Sequence, residues 1–207
     1  MYLDRQLREY LDDLASAKPT PGGGSTAALS GAMGVALVCM VARLTLGKAE
    51  YAAVHTEVEE IVQSAEVLRA RFQALMSEDM EAYGRLAACF KLPKATSEEK
   101  VARSGAIQVS LRDAALVPLE IAERAVKLVQ YCQRIAEIGN KNVLSDIATG
   151  STLASSAAAG AAWMVNVNIQ GLKDGAQAEE LNHRLSVALQ AVTEGSRRVI
   201  QVIGERG

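Results

Sequence analysis

Aromatic residues are scarce in this chain: two Phe, five Tyr and one Trp amount to 4% of 207 residues. With only four prolines and no alternating apolar–polar run, this composition disfavours a β-sandwich or barrel, and the abundance of alanine favours helices. Cysteine is limited to Cys39, Cys89 and Cys132, odd in number, far apart and set among apolar residues. That excludes a disulfide framework and a metal knuckle, and reads as buried thiols in a reducing, cytoplasmic compartment. The two histidines, His55 and His183, stand alone on predicted helix faces, so no histidine triad or metal site can be assembled and none is expected. A surplus of one charge sign is missing too. Lys and Arg number 22 against 24 Asp and Glu, a net charge of −2, which leaves no basic field for nucleic acid. No basic-then-apolar leader opens the chain, because MYLDRQLREYL carries charges throughout, and nothing there directs export.

What the chain does have is glycine in an unusual place. PTPGGGSTAALSGAMG, from Pro19, puts Gly22, Gly23 and Gly24 directly before a charge-free stretch. Ordering glycine costs conformational entropy, so the run needs a reason. It is a linker, the mouth of a membrane span, or a backbone-lined binding loop at a helix start. The uncharged segments Thr26 to Ala42 and Ile147 to Leu172 keep the membrane reading open. Against it, both are rich in Ala, Gly, Ser and Thr and the first is short for a span, so small-residue helices packed inside a bundle are the expectation.

Periodicity predicts an all-α, single-domain bundle of about six helices over residues 1–207, several of them long, with the Gly-rich loop before the second. Leu3, Leu7, Tyr10 and Leu14 mark a short first helix. The second runs from Ser25 or Thr26 to about Thr45, stopped by Gly47. From Tyr51 to about Phe90, apolar residues recur in a 4-3 rhythm: Val54, Val58, Ile61, Ala65, Leu68, Phe72 and Leu75, then Ala82, Leu86 and Cys89. LPKATSEEK breaks the chain and restarts it, with Thr96 and Glu99 at capping-box spacing. The next helix reaches about Ile138 through Val101, Leu111, Ala115, Ala122, Val129 and Ala136, with Pro118 as a kink point. Asn142 is predicted to cap a helix to about Leu172. A last helix, from 177 to 204, has Leu181, Leu185, Ala188, Val192, Val199 and Val202 on one seam.

Asp79 interrupts the 4-3 rhythm where an apolar residue is due. A carboxylate on that seam loses hydration and acquires a raised pKa, the setting for a general acid or base, with Tyr83 one turn later on the same face. The alternative is that the helix twists off the core by residue 79 and leaves the aspartate on the surface. In GNKNVLSD, Asn140, Asn142, Ser145 and Asp146 crowd one helix start, where capping needs only one of them. These amides, with Asn166 and Asn168, either bridge helices or bind a polar ligand. The PGGGS run, ending in Ser25, lacks the GK of a phosphate loop and the preceding strand of a dinucleotide fold, yet glycines at a helix start expose N–H groups to an anion. Lys48, Lys94 and Arg103 could meet substrate carboxylates, although such side chains are usually only solvated.

Taken together, PTPGGGS, MVARLTLGKAEY, EDMEAY, LPKATSEEK, VPL, GNKNVLSD and NVN, in that order along nearly the whole chain, resemble the cyclodeaminase/cyclohydrolase family of folate enzymes. The resemblance implies an all-helical, typically homodimeric enzyme that needs no metal or cofactor and takes a tetrahydrofolate derivative as substrate. It implies Asp79, within EDMEAY, as the catalytic residue. By the same resemblance Gly22, Gly23, Gly24, Ser25, Tyr83, Asn140, Asn142, Ser145, Asp146 and Asn166 would surround the pterin, with Lys48, Lys94 or Arg103 on the glutamate tail. The chain departs from the family pattern in reading SDIATG after Asp146. With no formiminotransferase domain in these residues, methenyltetrahydrofolate cyclohydrolase is the first expectation and formiminotetrahydrofolate cyclodeaminase the second. A non-catalytic folate-binding or scaffold protein is the third.

Overall fold

The 4-3 seam becomes the third and second longest of six α-helices in a computed structural model that describes residues 2–206. No strand occurs among those residues, as the composition predicts. Helix α1 (Leu7–Leu14) follows a 3-10 turn at Tyr2–Asp4. Of its four predicted apolar contacts only Tyr10 is fully buried, while Leu3 and Leu7 are exposed. Eight residues are too short to hold a full seam, and the phenol of Tyr10 does the anchoring: its hydroxyl lies 3.2 Å from those of Ser25 and Thr26.

Helix α2 (Gly23–Leu46) starts earlier than expected. Gly22 is its N-cap and Gly23 and Gly24 form its first turn, so the glycines are the helix start rather than a loop before it. The cap is made backwards: the Ser25 hydroxyl accepts from the Gly22 N–H at 3.2 Å, and the Thr26 hydroxyl donates to the Gly22 carbonyl at 2.8 Å. A 3-10 segment (Ala49–Val54) leads into α3 (His55–Phe90), which buries Val58, Ile61, Ala65, Leu68, Phe72, Leu75, Ala82 and Leu86 as the rhythm requires.

Thr96 caps α4 (Ser97–Ile138), accepting from the Glu99 N–H at 3.2 Å while Glu99 accepts from the Thr96 N–H at 3.1 Å. The helix continues through a buried Pro118, and its early Val101 is exposed rather than in the seam. Asn140, not Asn142, is the capping residue that follows. Its side-chain oxygen accepts from the Asn142 N–H at 3.1 Å and closes a 3-10 turn (Lys141–Val143) that feeds α5 (Leu144–Ile169). Helix α6 (Gly175–Arg206) seals the bundle with Leu181, Leu185, Ala188, Val192 and Val199.

Helix α4 sits at the centre, in contact with α2, α3, α5 and α6, and its Leu119, Ile121, Leu128 and Ile135 are fully buried. Helices α2 and α5 lie side by side with almost nothing between them. A Cβ on Gly34 would stand 2.8 Å from Leu128 and 3.0 Å from the Gly150 carbonyl, so only glycine allows this approach. By length and composition α2 could cross a membrane, but just over half of its apolar window is buried inside the bundle, as core helices are. Cys39 and Cys132 are buried and Cys89 half-buried, all three as free thiols. Burial pushes the first two up to about 11 and about 12, which keeps them protonated and unreactive.

Candidate active site

Asp79 stays on the inward side of α3. Its carboxylate lies against the first turn of α2, where it accepts a hydrogen bond from the backbone N–H of Ser25. The approach is so close that a Cβ on Gly24 would sit 2.0 Å from one carboxylate oxygen. Any side chain at Gly24 would therefore expel the carboxylate from the helix terminus. This is the reason for at least one of the three glycines: the bare backbone makes room for an acid.

Two effects act on that acid. The free N–H groups and dipole at the start of α2 favour the ionised form. Loss of water favours the neutral form, and this effect is the larger: burial raises the Asp79 pKa, opposed in part by the Ser25 N–H. The result is a carboxyl whose two protonation states are closer in energy at neutral pH than those of a surface aspartate.

The carboxylate opens into a cavity of about 640 Å³ lined by Pro19, Thr20, Gly22, Gly23, Gly24, Asp79, Ala82, Tyr83, Leu86, Phe90, Ile107, Leu111, Ala114, Met164, Val167, Asn168 and Gly171. Its walls are mainly apolar, with few polar groups, as small-ligand sites are. Asp79 is the only charged side chain among them. Tyr83 stands half-exposed at the rim. A larger groove of about 900 Å³ runs past Arg71, Glu120, Glu123, Arg124 and Arg184, but its charges are spent on each other, with Arg71 on Glu120 at 2.7 Å and Arg184 on Glu123 at 2.9 Å. It has no poised acid.

The other expected residues divide. Ser25 is buried and reaches the site through its backbone alone. Asn166 is half-buried and does not line the cavity; Asn168, two residues on, does. The Asn168 amide donates to the carbonyls of Ala114 and Met164, both at 2.9 Å, which fixes its orientation in the cavity wall. Arg103 donates to the Phe90 carbonyl at 3.1 Å, near the rim, and its buried Nε has no acceptor. Lys94 is exposed on the α3–α4 connection.

Lys48, Asn140, Asn142, Ser145 and Asp146 lie elsewhere. The Thr45 hydroxyl accepts from the Asn140 N–H at 2.9 Å, and the Lys48 ammonium is 3.5 Å from the Asn140 side-chain oxygen. Thr45 is at the far end of α2 from Gly24, a rise of roughly 30 Å at 1.5 Å per residue. Within one chain these residues form a second cluster, not part of the Asp79 cavity. No group of three or more His, Cys, Asp or Glu side chains among the described residues is placed to hold a metal ion.

Residues 6–187 match the formiminotransferase-cyclodeaminase family. The chain belongs to this family. It is 38% identical to a methenyltetrahydrofolate cyclohydrolase of Methylorubrum extorquens, over 95% of both chains. It is 32% identical to the formimidoyltransferase-cyclodeaminase of Rattus norvegicus, covering 91% of this chain but 35% of that longer protein. In three dimensions it superposes on the formiminotetrahydrofolate cyclodeaminase of Thermotoga maritima with a TM-score of 0.90, 28% identity and 99% of this chain against 98% of that one.

Proposed function

We propose that the protein is a 5,10-methenyltetrahydrofolate cyclohydrolase with Asp79 as its general acid and base. The observation that carries this is the poised carboxylate of Asp79, pressed on the glycine start of α2 at the floor of an apolar cavity. The full-length similarity to the Methylorubrum extorquens cyclohydrolase supports the choice of reaction.

The substrate carries a cationic N5–CH–N10 bridge, and an ionised Asp79 in an otherwise uncharged cavity attracts it. Water adds to the bridge carbon while Asp79 accepts one of its protons, giving a neutral tetrahedral adduct. The C–N5 bond then breaks as Asp79 returns its proton to N5, the adduct hydroxyl gives up its own proton to solvent water, and the carbonyl of 10-formyltetrahydrofolate forms. One water is consumed, one proton is released to solvent with the loss of the substrate's positive charge, and the acid ends as it began. Neither step asks for a cofactor. In this reading Asn168 and the rim Tyr83 orient the ring system and Arg103 meets the glutamate carboxylates, which the positions of Asn168 and Tyr83 on the cavity wall and of Arg103 beside the Phe90 carbonyl support. The protonated, free cysteines fit a cytoplasmic location.

A second reading, formiminotetrahydrofolate cyclodeaminase, is favoured by the Thermotoga maritima structure. There N10 attacks the formimino carbon and ammonia leaves, which needs the same proton carrier. One assay separates them. Purified protein is given the methenyl and then the formimino substrate while methenyl absorbance is followed. Decay of the first signal above the buffer rate supports hydrolysis, and growth from the second supports deamination. A flat trace in both would leave only the binding module.

A further inference from the structure

The α5–α6 connection is a thinly held part of the wall around Asp79. Gln170, Gly171, Lys173 and Asp174 are exposed, and Leu172 alone is half-buried, against the satellite cluster of Ala82, Leu86, Leu111 and Ala114. Those four side chains line the cavity, and so does Gly171. The Gly171 backbone lies against Leu111, close enough that an added Cβ would stand 2.8 Å from that side chain. Where this turn sits therefore sets the width of the cavity on its α4 side, yet apolar burial holds little of the turn in place.

An exposed turn with so little burial opens easily unless hydrogen bonds fasten it. Here they come from α4. Ser104, Gln108 and Leu111 fall at 4-3 spacing on one face of that helix, and all three meet the turn. The Gln108 amide nitrogen donates to the Gly171 carbonyl at 3.0 Å, and its oxygen accepts from the Lys173 N–H at 2.7 Å. The Lys173 ammonium donates to the Ser104 hydroxyl, also at 2.7 Å. The turn is tied to the cavity wall as well, because the Gly171 N–H donates to the carbonyl of Asn168 at 3.2 Å.

We propose that Gln108 is a positioning residue for substrate binding. It does not line the cavity itself. Its side chain fixes the backbone from Gly171 to Lys173, and through it the Leu111 and Asn168 side of the wall. The effect on substrate rests on the folate reading above; the clamp itself does not.

The chemistry of the turn selects glutamine. The backbone presents one acceptor and, two residues on, one donor, and a single planar amide answers both. Glutamate has the same shape and can accept from Lys173, but an ionised carboxylate cannot donate and sets its charge against the Gly171 carbonyl. Lysine donates and cannot accept. Asparagine is one methylene short. Because the clamp acts on the wall and not on the reacting carbon, its loss weakens the binding of ground state and transition state alike, which raises KM and leaves kcat in place.

Gln108→Glu and Gln108→Ala test this. In both, KM for methenyltetrahydrofolate should rise about tenfold with kcat within about twofold of wild type, while helicity by circular dichroism is unchanged. Hydrogen exchange read by mass spectrometry should quicken in the peptide that spans Lys173 and not in peptides from α2. Gln108→Glu is the decisive variant, since a glutamine that only fills space would tolerate the isosteric glutamate. An unchanged KM in Gln108→Glu would overturn the proposal, as would unchanged exchange at Lys173 or a fall in kcat that accounts for the whole loss in kcat/KM. A wild type that turns over neither folate, in which Gln108→Glu nevertheless frees the Lys173 amide, would instead sink the assignment of function and leave the clamp standing.

Discussion

Asp79 is held in a place that costs the fold stability, and that makes its role measurable apart from turnover. Its pKa is raised on folding by burial. The unfolded chain therefore releases this proton at lower pH than the native one, and the stability difference is full below the ordinary aspartate range near 3.9 and lost as pH rises through the native value. Asp79→Asn removes the titration and keeps an acceptor for the Ser25 N–H. The variant should be more stable than wild type at neutral pH, with the gap closing in acid, and at least 10²-fold slower. Paired thermal melts at pH 7 and pH 4 with initial-rate assays check both halves. An Asp79→Asn protein that is less stable and fully active would remove the acid from the mechanism. Gly24 belongs to the same contact. Gly24→Ala places a Cβ 2.0 Å from the carboxylate and should cost about 1–3 kcal/mol by overpacking. In an Asp79→Ala background the obstacle is gone and the penalty should fall well below 1 kcal/mol. A double-mutant cycle in urea with no coupling would mean that the glycine serves α2 alone.

At the level of helices, much was legible because it is local. The 4-3 rhythm of α3, the Thr96–Glu99 capping box and the seam of α6 each depend on residues within a few turns, and all three appear as read. What escaped depends on distant contacts. Whether Asn166 or Asn168 turns to the cavity is a matter of which face of α5 meets α4, since two residues differ by about 200° around a helix. That PGGGS and EDMEAY meet while GNKNVLSD does not follows from α2, whose 24 residues set its two ends apart. The far end depends on one hydroxyl. Thr45, fully buried, donates to Val41 at 2.8 Å and accepts from the Asn140 N–H. Thr45→Val keeps the shape but strands that buried N–H, so the urea midpoint should drop by the equivalent of about 1–3 kcal/mol with an unchanged slope. A neutral substitution would show that the Asn140 turn is not fastened to α2.

For the whole molecule the question is what the charge-free face of α2 and α5 does in water. Both helices are buried on their inner sides by small residues, and small residues inside leave the larger Met33, Met40, Leu44 and Trp163 outside. A bundle that assigned all its large side chains to its own core would not be built this way. If the face is covered by a second copy, folding is coupled to association, and the native state gains from concentration while the unfolded chain does not. Each tenfold dilution then removes about 1.4 kcal/mol per dimer, which for some 400 residues lowers Tm by about 1–3 °C. Met40→Glu should melt lower and at the same temperature at every concentration. Calorimetry over a hundredfold range of concentration is sufficient to resolve this. A wild-type Tm independent of dilution would mean that the face stays wet.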